Sequence, residues 1–79
     1  MQTHELKILP QYFEAVKSGH KNFELRKDDR NYQVGDLITL REFNGKQYTG
    51  REIKNLPIKY ILRDCSKYGL SEGYCILGL

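Results

Sequence analysis

Between Gly19 and Arg26 the chain reads GHKNFELR, which brings an ammonium at Lys21, a carboxylate at Glu24 and a guanidinium at Arg26 within six positions. Those three groups read polar ligands in complementary ways. A guanidinium offers a planar fork of donors to phosphate or a base edge, an ammonium is a mobile point charge, and a carboxylate accepts from an exocyclic amine. Period-two alternation from Asn22 puts Phe23 and Leu25 on one strand face and Asn22, Glu24 and Arg26 on the other, so Glu24 and Arg26 share a side. Spacing alone favours the plainer reading of an exposed ion pair contributing less than about 1 kcal/mol. Lys17 and His20 stand close enough to extend the cluster into a basic rim with Lys27 and Arg30, opposed there by Asp28 and Asp29.

The rest of the chain offers little other chemistry. No supported Ser/His/Asp ordering and no glycine-rich phosphate loop is present. Cys65 and Cys75 lie ten positions apart with His4 and His20 far away, a spacing that suits no zinc site, so no metal or cofactor is expected. The two cysteines read as buried free thiols, one of them in the terminal strand. His4 and His20 read as surface residues, and the six tyrosines as core or rim.

Short elements must position the cluster. HELKIL, residues 4–9, alternates polar and apolar as a half-buried strand does. Pro10 suits a first helical turn, and Tyr12, Phe13 and Val16 repeat at helical spacing, so PQYFEAVKS predicts a short amphipathic helix ending near Gly19. The motif strand then starts at Asn22. KDDRN reads as a loop, VGD as a glycine turn, and Leu37 to Phe43 as an alternating strand. Asn44-Gly45 predicts a two-residue hairpin turn pairing Arg41 to Phe43 with Gln47 to Thr49. Pro57 marks an edge, a bulge or the first position of a strand IKYIL. Residues 64–73 form a connection, and YCILGL closes the chain as a strand in which Gly78 lets another backbone approach.

Seventy-nine residues predict one domain, 1–79, with a small core. A net charge of +3 tilts the chain toward polyanions. There is no run of 18 apolar residues and no basic-then-apolar leader, so a cytoplasmic location without a membrane is expected. Five or six strands and one early helix predict an α+β fold, mostly β: a small curved sheet or partly open barrel with one short helix after the first strand. Oligomeric state has no signature in the sequence.

Gly19, Lys21, Glu24 and Arg26 fit the G-x-K-x-x-E-x-R pattern of ASCH domains, a PUA-like group of small β-barrels, which this chain resembles. Gly35-Asp36, "YTGREI" and the closing "EGYCILGL" extend the resemblance to a compact bacterial and phage ASCH-like family over nearly the whole chain. The resemblance implies RNA or nucleotide binding in a cleft between the helix and the curved sheet. Lys21, Glu24 and Arg26 would be its site residues, with Lys17 and His20 on the rim. Some ASCH relatives are amidohydrolases of N4-acylated cytidine that use a motif lysine, a threonine three positions later and a glutamate from a distal helical segment. Here Lys21 matches, Glu24 occupies the threonine position, and only DCSKYGLSEG, with Glu72, separates the last two strands. A binding module is therefore the leading expectation. An amidohydrolase using Lys21 and Glu24 is the alternative.

Overall fold

The computed structural model describes residues 1–79. Strand β1, Thr3–Ile8, turns His4, Leu6 and Ile8 inward. Pro10 opens α1, Pro10–Lys17, whose one buried residue is Phe13. The helix ends where predicted and for the predicted reason. Gly19 takes φ +82°, its N–H donates to the Val16 carbonyl at 3.0 Å, and the His20 N–H donates to the Ala15 carbonyl at 3.0 Å. These two bonds are a Schellman cap, which satisfies the last helical carbonyls and turns the chain into β2, Phe23–Lys27.

The strands form two three-stranded sheets. In one, β3 (Leu37–Phe43) lies between β1, to which it is parallel, and β4 (Tyr48–Pro57), to which it is antiparallel. In the other, β6 (Tyr74–Gly78) lies between β2 and the short β5 (Tyr60–Leu62), all antiparallel. The α+β, mostly β class holds. The join between β1 and β2 is made by side chains: Arg26 Nη2 donates to the Lys7 carbonyl, and Arg30 Nη1 to the Glu5 carbonyl at 3.1 Å.

The core draws on both sheets and on α1, through Leu6, Ile8, Phe13, Tyr32, Ile38, Leu40, Ile58, Cys75 and Leu77. It is mostly aliphatic. Of nine aromatic side chains only Phe13 and Tyr32 are buried, whereas Tyr12, Phe23, Tyr48, Tyr60, Tyr68 and Tyr74 stay exposed, so of the tyrosines read as core or rim one is core. A domain this small has too little interior for them.

The hairpin forms one residue later than Asn44-Gly45 predicts. Asn44 N–H donates to the Gln47 carbonyl at 3.1 Å, so Gly45-Lys46 is the central pair and Phe43 faces Tyr48. Asn44 Oδ1 accepts from the N–H groups of Lys46 and Gln47, so asparagine shapes the turn from its flank while Gly45 supplies φ +98°. Pro57 ends β4, an edge strand, where a missing donor costs no ladder bond. The strand expected at IKYIL shortens to Tyr60–Leu62, and the connection that follows contains one 3-10 turn, Cys65–Tyr68. Gly78 does permit a close approach, since a Cβ there would sit 3.5 Å from the Tyr60 carbonyl oxygen.

His4 is a further correction. It is 6% exposed, because its strand position faces inward and Asp36 gives it a partner at 2.9 Å. Asp36 also accepts from the N–H groups of Gln2 and Gln33, at 3.0 and 3.1 Å. The His4 contact, reinforced by the Gln2 amide, holds the Asp36 carboxyl at about 2, below its ordinary 3.8. A depressed carboxyl stabilises the fold above the unfolded value and loses that contribution as pH falls through the folded one. Acid unfolding followed by circular dichroism should therefore steepen between about pH 4 and pH 2. Asp36→Asn should flatten that limb, and an unchanged acid profile in the variant would contradict the assignment.

Candidate functional site

Strand β2 presents its polar face to the interior. Phe23 and Leu25 are 44% and 46% exposed, and Glu24 is 5% exposed. The partner strand explains this orientation. Glu24 pairs with Leu77 and Arg26 with Cys75, both wholly buried, and directly opposed residues project to the same side of a sheet. Burying Leu77 and Cys75 therefore draws the carboxylate and guanidinium inward. The exposed ion pair favoured by spacing alone is thereby corrected.

Inside, two cationic groups converge on the carboxylate. Lys21 Nζ lies 3.2 Å from Glu24 Oε1, and Arg26 Nε lies 3.6 Å from Oε2. The ammonium also donates to the Phe23 carbonyl at 2.7 Å and stands 4.8 Å from the Phe23 ring centroid and 5.8 Å from that of Tyr12. The Schellman cap brings it there, since the Lys21 N–H is itself held at 2.9 Å from the Ala15 carbonyl. Glu24 Oε1 and Arg26 Nε are buried without a hydrogen bond, Lys21 attracting Oε1 as a neighbouring charge out of hydrogen-bond alignment. Buried polar atoms left this way are uncommon in folded proteins.

The other expected rim residues stay apart from this cluster. Lys17 and His20 are exposed, and His20 Nδ1 pairs with the Ser18 hydroxyl at 2.8 Å beyond the helix end. The expected hollow shared by all three motif residues is absent, because Lys21 and Glu24 pack against each other. Arg26 alone reaches an open concavity, of about 150 Å³, lined with it by Leu6, Lys27, Asp29, Arg30 and Tyr32. Glu72 belongs to a separate hollow of about 280 Å³ beside the Arg63–Asp28 ion pair, whose atoms are 2.8 Å apart.

Sequence reasoning missed a third buried carboxylate, besides Glu24 and Asp36. Glu42 is 4% exposed and accepts from the Thr49 hydroxyl at 2.7 Å and from Arg51 at 3.4 Å. Arg51 also reaches Glu14 on α1 at 2.7 Å and lies 4.5 Å above the Phe13 ring, so the network ties the helix to β3 and β4. Period two could have found it, since Glu42 shares the inward face of Ile38 and Leu40. The two cysteines are free and buried, as expected. Burial pushes the Cys75 thiol up to about 11, which leaves it protonated and a poor nucleophile at neutral pH.

No helix is long and apolar enough to cross a membrane. The profile of the family described as "Domain of unknown function (DUF3850)" matches residues 3–79. An "Uncharacterized 12.9 kDa protein in GpA 3'region" of Escherichia phage P2 is 43% identical over 51 residues, which cover 65% of this chain and 47% of the phage protein. The chain thus aligns with about half the length of that curated relative.

Proposed function

This chain belongs to the DUF3850 family, and we propose that it is a noncatalytic module of ASCH type, PUA-like in fold, that binds RNA or a nucleotide between α1 and β2. One observation carries the reading: an acceptor, Glu24 Oε1, and a donor, Arg26 Nε, which lies 3.6 Å from the other oxygen of that carboxylate, are buried with no hydrogen-bond partner. A base edge that presents an amine beside an acceptor complements such a pair, and unstacked bases of single-stranded RNA or free nucleotides expose those edges. Lys21 covers the carboxylate with a side chain that a ligand can displace from the Phe23 carbonyl. The net charge of +3 favours a polyanion, and the proposed location is the cytoplasm.

Glu24→Gln tests the reading, because it replaces one acceptor oxygen with a donor amide in nearly the same volume. Titrated with the four ribonucleoside monophosphates, the variant should rank the bases differently from the parent while its best affinity changes less. An unchanged ranking would remove Glu24 from base recognition.

The amidohydrolase alternative rests on the 3.2 Å approach of Lys21 to Glu24. It ranks second because the Thr49 hydroxyl serves Glu42 and Glu72 lies in a separate hollow. Release of cytidine from N4-acetylcytidine by the purified protein would promote it.

A further inference from the structure

We propose that the hollow beside Arg26 is a phosphate subsite, taking the phosphate of a nucleotide or the phosphodiester of an RNA strand whose base lies against Glu24. The inference rests on the binding function proposed above and deepens it. The three motif residues are engaged with one another, so Lys21 and Arg26 are poorly placed to neutralise phosphate by themselves. The charges that remain lie next along the chain. Arg26, Lys27 and Arg30 line the concavity of about 150 Å³ against a single carboxylate, Asp29.

Two guanidinia are anchored there along one strand edge. Arg26 reaches the carbonyl of Lys7 and Arg30 that of Glu5, two residues apart on β1, or about 7 Å. That spacing lies within the span of one phosphate hydrogen-bonded to both forks. Arg30 commits Nη1 to its carbonyl, and a guanidinium carries five N–H donors. Both charges are felt inside the hollow: burial pushes the Tyr32 phenol up, while Arg30 and Arg26 pull it down. Arg26 links the two halves, its Nε beside Glu24 and its side chain lining the concavity. A ligand with its base edge at Glu24 and its phosphate in the hollow would touch both sides of one guanidinium.

The test is calorimetric titration at fixed low salt with the four ribonucleosides, their 5′-monophosphates and a short single-stranded RNA lacking terminal phosphates. The preferred monophosphate should bind at least about tenfold tighter than its nucleoside, and Arg30→Ala should bring that ratio to about one. Asp29→Asn, which removes the opposing carboxylate without cutting a side-chain anchor, should enlarge the ratio about two- to fivefold. An Arg30-dependent advantage in the RNA identifies the phosphodiester as the ligand group, and one confined to monophosphates identifies a free nucleotide. A monophosphate and nucleoside that bind parent protein equally, or a preference that survives Arg30→Ala, would overturn the subsite and leave the base site standing. Failure of every nucleoside, nucleotide and RNA to bind the parent would overturn both.

Discussion

Replacing Arg26 alone by alanine should lower the unfolding free energy by about 2–3 kcal/mol, whereas replacing Glu24 and Arg26 together by leucine and methionine should leave stability near or above the parent's. The single variant strands a carboxylate that is 5% exposed, with only Lys21 to compensate it. Removing one partner of a buried pair costs about 3–5 kcal/mol, and the partial exposure of the Arg26 side chain, 23%, reduces that figure here. The double variant removes the desolvated carboxylate and guanidinium and places two apolar side chains beside Leu77 and Cys75; it gives up the Arg26 bond to the Lys7 carbonyl, and Lys21 keeps its bond to the Phe23 carbonyl. Exchanges of this kind are often neutral or stabilising by about 1–4 kcal/mol. Urea titrations of the three proteins decide it. A double variant as unstable as the single one would make the ion pair a structural element; a recovered double variant would show that the pair is kept at a stability cost.

Lys21→Ala combined with Arg26→Gln should weaken RNA or nucleotide binding more than about a hundredfold, equivalent to about 2.7 kcal/mol. Glutamine at position 26 retains a donor for the Lys7 carbonyl, so the fold should survive better than with alanine. The parent's affinity should fall steeply with salt, with a logarithmic slope of about −0.7 for each phosphate neutralised in a single strand. The double variant should show a shallower slope. A folded double variant that keeps the parent's affinity would exclude the motif as the binding site.

The local elements were legible because their signals are local. Pro10 and Gly19 bracket the helix, alternation marks β1 and β3, and a run of apolar residues marks β6. Asn44 and Gly45 locate the hairpin to within one residue, because the asparagine acts from outside the central pair. The motif residues were legible by type and spacing, but their orientation was not. Alternation says which residues of β2 share a face, whereas Leu77 and Cys75, some fifty positions away, decide which face is buried. The pairs His4–Asp36 and Glu42–Thr49 escaped for a related reason: period two puts His4 and Glu42 on inward faces, but the packing of distant segments decides which residue meets each. The side-chain join between β1 and β2 depends likewise on where Arg26 and Arg30 end up relative to Glu5 and Lys7.

The central claim is that the buried groups around Glu24 receive a ligand, and the side-chain N–H resonance of Arg26 Nε reports on it directly. Titrating the labelled protein with nucleoside monophosphates or short RNA should shift that signal in a saturable way, with the same midpoint as binding measured calorimetrically. Binding that saturates while the Arg26 Nε–H signal stays fixed would contradict the account and assign the ligand to another surface.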